Sequence, residues 1–159
     1  MRTLTIFLIS LFSLPLVLNA QSVDEMLQKV SAAIEAGQNG QAVSYFRQTI
    51  ALNIDRTEMY YWTNIDKSSE ISVKLANELA IAFRKKRNYD KAYLFYKELL
   101  QKAPNNVAYL ESCAEMQVCR GQEKDALRMY EKILQLEADN LAANIFLGNY
   151  YYLTAEQEK

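Results

Sequence analysis

Apolar residues recur along this chain at the spacing of one helix face. Ala76, Leu79, Ala80 and Phe83 fall at i, i+3, i+4 and i+7, which predicts a helix with one buried stripe. The polar break "KRNYD" follows, and then a second apolar series, Ala92, Leu94, Phe95, Leu99 and Leu100. Pro104 stands just past it, where proline ends a helix. Two helices separated by so short a break make a hairpin.

The pattern then repeats. Ala92 recurs as Ala126, Tyr96 as Tyr130, Leu100 as Leu134 and Asn106 as Asn140, always at one interval of about 34 residues. Leu79, Cys113 and Leu147 keep that interval twice, as do the small residues Ala80, Ala114 and Gly148. Small side chains let paired helices approach, and the aromatic residues interlock with them. A weaker copy, Gly37, Ala42 and Phe46, precedes the regular pair, and its Ala42 lies about 50 residues before Ala92, which leaves room for an insertion. The chain is therefore expected to divide into a leader (1–20), a degenerate hairpin (21–53), an insertion (54–69), two regular units (70–106 and 107–140) and the first helix of an incomplete further unit (141–159).

These motifs resemble the tetratricopeptide repeat family, a helix–turn–helix unit patterned W-x2-L-G-x2-Y, then A-x3-F, then P. Ala92-x3-Tyr96 with Pro104 fits it, as do Gly121, Ala126 and Tyr130, although Ala138 replaces the proline and Gln117 an aromatic. Asn144-x2-Leu147-Gly148-x2-Tyr151 repeats the first-helix pattern, with Asn for Trp. The resemblance implies an all-α, helical-hairpin solenoid, a right-handed superhelix of antiparallel helix pairs. In the family, the first helices of successive units line a concave binding face. Here that stripe would carry Lys74, Asn77, Ile81 and Arg84, then Ala108, Glu111, Glu115 and Val118, then Ala142, Ile145, Asn149 and Tyr152. Its bland alternative is pairing of Lys74 and Arg84 with Glu111 and Glu115. Some family members grip a partner's terminal carboxylate with Lys, Asn and Arg on these helices; Glu111, Glu115 and Ile145 spoil that clamp.

The opening stretch, "MRTLTIFLISLFSLPLVLNA", holds one early cation, Arg2, and an apolar run to Leu18. This is the layout of a secretory signal peptide cleaved after Ala20, and the run is shorter than the roughly 20 residues of a membrane span. It predicts an exported protein, periplasmic or secreted, with no stable membrane span after cleavage. The formal charge of −1 becomes −2 without Arg2, which gives no general pull toward nucleic acid. Cys113 and Cys119 on one helix would be separated by about 9 Å along its axis, too far for a disulfide.

Catalytic chemistry is thin. Without histidine, Ser–His and Cys–His catalysis and His-containing zinc sites are excluded, and four scattered glycines make no phosphate loop. No cofactor, metal or catalytic residue is expected. The insertion carries Tyr60, Tyr61 and Trp62, either wedged rings or an anchor for a partner. The basic run Arg84–Arg87 either complements a helix dipole or meets an anionic partner. The final stretch is too apolar for one buried stripe. Leu147, Gly148 and Tyr151 are expected to pack inward, leaving Phe146, Tyr150 and Leu153 exposed, with room for self-association. The leading expectation is a non-catalytic protein- or peptide-binding scaffold of the bacterial cell envelope. The alternatives are the docking region of a longer envelope enzyme or assembly factor and, more weakly, a glycan-binding module.

Overall fold

The computed structural model describes residues 14–157, with side chains from 23 to 155. The expected leader thus falls largely outside the described residues. Among those described, the chain forms eight helices and no strand: α1 (Leu14–Glu35), α2 (Asn39–Leu52), α3 (Ile54–Asn64), α4 (Glu70–Lys85), α5 (Tyr89–Lys102), α6 (Val107–Cys119), α7 (Glu123–Leu136) and α8 (Leu141–Gln157). The described residues fall into two compact units, divided between Leu75 and Ala76 within α4.

In the first unit, α1 and α2 form a hairpin whose stripe of Val23, Val30, Ala33, Ala42 and Phe46 is buried. Asn53 links α2 to α3. Its backbone N–H donates to Thr49 O at 2.8 Å and its Oδ1 accepts from Arg56 N at 3.0 Å, so one residue ends one helix and caps the next. The insertion is thus largely helical. Its three adjacent aromatics point different ways, as the rotation of about 100° per residue requires. Tyr61 is fully buried, Tyr60 shares a 2.6 Å hydrogen bond with Ser31 Oγ, and Trp62 is exposed. An Asp24–Arg56 ion pair of 2.5 Å also joins α1 to α3. Past α3, the Lys67 ammonium donates to the carbonyls of Tyr61 and Ile65 and lies over the Tyr61 ring, closing the helix end.

The second unit buries Ala76, Leu79, Ala80 and Phe83 from α4 with Ala92, Phe95, Tyr96 and Leu99 from α5. Phe83 and Phe95 stack with ring centroids 5.9 Å apart. Leu94, expected in the core, is exposed. Two positions past Ala92, it points to the far side of the helix, off the stripe that Phe95, Tyr96 and Leu99 continue. Leu110, Ala114, Ala126, Tyr130, Ile133, Ala143 and Leu147 form the core of α6, α7 and α8. Asn88, Asn106 and Asn140 each accept a hydrogen bond from a backbone N–H three residues on, capping α5, α6 and α8. The repeated Asn106 and Asn140 are therefore helix starts. Gln117, in place of an aromatic, is buried and donates to the Tyr93 hydroxyl at 3.3 Å.

The three hairpin turns share one hydrogen-bond pattern. The N–H groups of Gln38, Asn88 and Gln122 reach back to the carbonyls of Ala33, Phe83 and Gln117 at 2.8–2.9 Å. This is the Schellman closure, which needs positive φ at the preceding residue. Gly37 (69°) and Gly121 (72°) supply it without strain, whereas the α4–α5 turn uses Arg87 (58°). The Cβ makes that conformation cost about 1–2 kcal/mol.

Both cysteines are free, with Cys113 buried and Cys119 exposed. Burial pushes the Cys113 thiol up to about 12, so it is protonated and inert at neutral pH. One thiol is expected to react with a disulfide reagent at pH 8 in the native protein, and two in denaturant; two rapid native reactions would contradict the burial. Phe95→Ala is expected to cost about 3–5 kcal/mol, measured by chemical denaturation followed by circular dichroism.

Candidate functional site

The candidate stripe is represented in the second unit on α4, α6 and α8. Arg84 stands in the last turn of α4 and donates from Nη1 to Glu115 Oε2 on α6 at 2.9 Å. One turn earlier on α6, Glu111 accepts from Asn140 Nδ2 at 2.6 Å while the Asn140 Oδ1 caps α8. Of the expected cross-helix pairs, Arg84–Glu115 therefore forms. Lys74 instead pairs with Glu70, one turn back on its own helix, at 3.1 Å, and Glu111 is engaged by Asn140. The i,i+4 partner needs little ordering, since both side chains already share one face.

Beneath the charged row lie two tyrosines. Burial pushes the Tyr96 hydroxyl up, against opposing effects of a Ser112 hydrogen bond and the Arg84 charge. Burial and the nearby Glu115 and Glu111 push Tyr130 up as well. Both are neutral at physiological pH and add no charge to the row. Asn77 and Ile81 are half-buried beside Arg84, while Asn149 and Tyr152 are exposed on α8. The arrangement offers ionic, amide, aliphatic and phenolic contacts on helix surfaces.

α8 corrects the expected division of its faces. Ala143 and Leu147 are its buried residues. Phe146 is half-buried, stacked on Tyr130 at 4.3 Å, and Tyr150 is half-buried beside Phe146. Leu153 is exposed, and so is Tyr151, which donates its hydroxyl to Glu131 at 3.0 Å. Gly148 is also exposed, and a Cβ there would meet nothing within 4 Å. Phe146 stacks on Tyr130 and Tyr150 on Phe146, so the packed face runs through Ala143, Phe146, Leu147 and Tyr150 and leaves Gly148 and Tyr151 outside it. Leu141, Ile145, Tyr151, Tyr152 and Leu153 remain as solvent-facing apolar groups.

A second feature was only half legible. Lys86 and Arg87, from the basic run, line a surface recess of about 540 Å³ with Asp90, Cys119, Arg120 and Gln122. Arg120 donates from Nε to Asp90 at 2.6 Å, and its guanidinium lies 4.6 Å from the Tyr93 ring centroid. Nothing in the sequence marked Arg120, because its partners lie far from it along the chain. Among the described residues, no three His, Cys, Asp or Glu side chains converge on a metal position, and no helix is long and apolar enough to cross a membrane.

Residues 75–106 match the profile of the tetratricopeptide repeat. A crystal structure from Bacteroides ovatus, provisionally described as a protein binding protein, is 92% identical and superimposes with a TM-score of 0.81. The match covers 86% of this chain and 67% of that one. The tetratricopeptide repeat domain of P58(IPK) shares the fold at 17% identity and a TM-score of 0.52, over 89% of this chain and 36% of that one. No curated protein matches. With the regular repeat phase, the Ala-x3-aromatic pairs and the Schellman turns in place, the chain belongs to the tetratricopeptide repeat family.

Proposed function

We propose that the chain is a non-catalytic protein–protein interaction scaffold of the bacterial cell envelope. Its partner, a protein or peptide, docks on the row formed by Asn77, Ile81, Arg84, Glu111, Glu115, Asn149 and Tyr152. The observation that carries this reading is the Arg84–Glu115 pair, which joins two successive first helices at their exposed surface at 2.9 Å. Charged, polar and aromatic side chains stand on successive first helices, held by helices whose opposite faces are packed. Tyr152 is 67% exposed, a large ring with no structural use for its solvation, and rings of this kind serve as interaction hot spots. The description of the Bacteroides ovatus relative as a protein binding protein supports the same class of function. The leader-like stretch 1–20 supports the envelope assignment.

The Arg84–Glu115 pair is solvent-exposed on both sides, so it contributes about 0–1 kcal/mol to stability. Removing it tests binding without unfolding the chain. The Glu115→Ala, Tyr152→Ala double variant is expected to lose no more than about 1 kcal/mol of stability. Its affinity for envelope proteins retained by the unaltered chain is expected to fall about tenfold or more. Quantitative affinity capture from an envelope extract checks both chains side by side. Recovery of the same proteins in the same amounts by both would overturn the placement of the site.

A further inference from the structure

We propose that the recess between the α4–α5 and α6–α7 turns is a second docking site, one that takes an acidic segment of a protein partner. The inference rests on the protein-binding reading but uses different residues. Lys86, Arg87 and Arg120 bring three positive charges to the recess and Asp90 brings one negative charge, a formal balance of +2. Lys86 and Arg87 make no ion pair with any described residue. Arg120 is held by its bond to Asp90 and by the Tyr93 ring, so the rest of its guanidinium fork is already positioned for a carboxylate.

Backbone charge adds to this. The recess is bordered by Tyr89 and Asp90 in the first turn of α5 and by Gln122, the N-cap of α7. Gln122 supplies no side-chain cap, so the first N–H groups of α7 stay open to an acceptor, although Glu123 and Asp125 already stand in that turn. Arg87 is independently informative. Its two counterparts are Gly37 and Gly121, and all three have positive φ. An arginine at a turn where the other hairpins use glycine is conformationally unfavourable and adds nothing to the closure, yet it puts a cation at the recess.

Charge complementarity selects the occupant. The whole chain has a formal charge of −1, so a nucleic acid's long run of phosphates would be repelled beyond this patch. The recess lies open between two turns, where it cannot enclose a small anion as dedicated ligand pockets do. A few carboxylates on an extended chain match its breadth and its +2 balance.

The test titrates the full chain into fluorescein-labelled hexaglutamate and hexaglutamine at low ionic strength. Hexaglutamate is expected to bind, to weaken as salt is raised, and to slow alkylation of the exposed Cys119 by iodoacetamide. The Lys86→Gln, Arg87→Gly double variant is expected to bind hexaglutamate about tenfold more weakly or worse. Glycine suits the positive φ of position 87, so melting followed by circular dichroism should show no loss of stability. Equal binding of the two peptides, unchanged affinity in the double variant, or unaltered Cys119 alkylation would each overturn the proposal. So would inorganic phosphate displacing hexaglutamate at equal concentration, which would assign the recess to a small anion. The Glu115→Ala, Tyr152→Ala variant should bind hexaglutamate like the unaltered chain. A failure of the groove reading would then show in affinity capture alone, and a failure of this one in the peptide titration alone.

Discussion

Close approach of paired helices over alanine is the constraint on which the other features depend. Ala42, Ala92 and Ala126 are completely buried, and one turn after each stands a large buried ring, Phe46, Tyr96 or Tyr130. The alanine admits the neighbouring helix, and the ring fills the space alongside. A bulkier side chain at any of the three would force displaced rotamers or a wider helix separation, because interiors are packed nearly to crystal density. Once that contact is fixed, the rotation of each helix follows, and so does the set of residues left facing outward.

The surface row is a by-product of this arrangement. Arg84 and Glu115 meet because the stripe that buries Phe83 also sets where the next residue emerges, and because burial of Cys113 and Ala114 does the same for Glu115. The row needs no strain, metal or buried charge. Its chemistry can therefore vary among related chains while the packing that presents it stays the same.

Sequence periodicity made the fold largely legible because burial and capping both repeat. The shared interval of Asn106 and Asn140 was visible in the sequence, and their capping role emerged in the structure, while that of Leu79, Cys113 and Leu147 marked one packed face. Legibility failed where a choice depended on local geometry. Leu94 is as apolar as its neighbours but lies off the stripe. Phe146 replaces Tyr151 at the packing face because the ring of Tyr130 is there to be stacked upon. Lys74 pairs with Glu70 on its own helix, an i,i+4 contact that needs little ordering. Arg87 was visible as a charge, but its left-handed backbone was not, since the sequence shows only that glycine is missing from its place.

The three identical turns also bear on how the chain acquires its structure. Each Schellman closure joins groups five residues apart, and each hairpin brings together helices that are adjacent in sequence. Such a topology has low contact order, and the search for partners is local at every step. Chains of this kind collapse hairpin by hairpin on the microsecond-to-millisecond scale, and nucleation can begin at any unit and spread to its neighbours. The strained turn at Arg87 then stands out kinetically as well. The α4–α5 hairpin must close through an unfavourable backbone state that its glycine-bearing counterparts avoid.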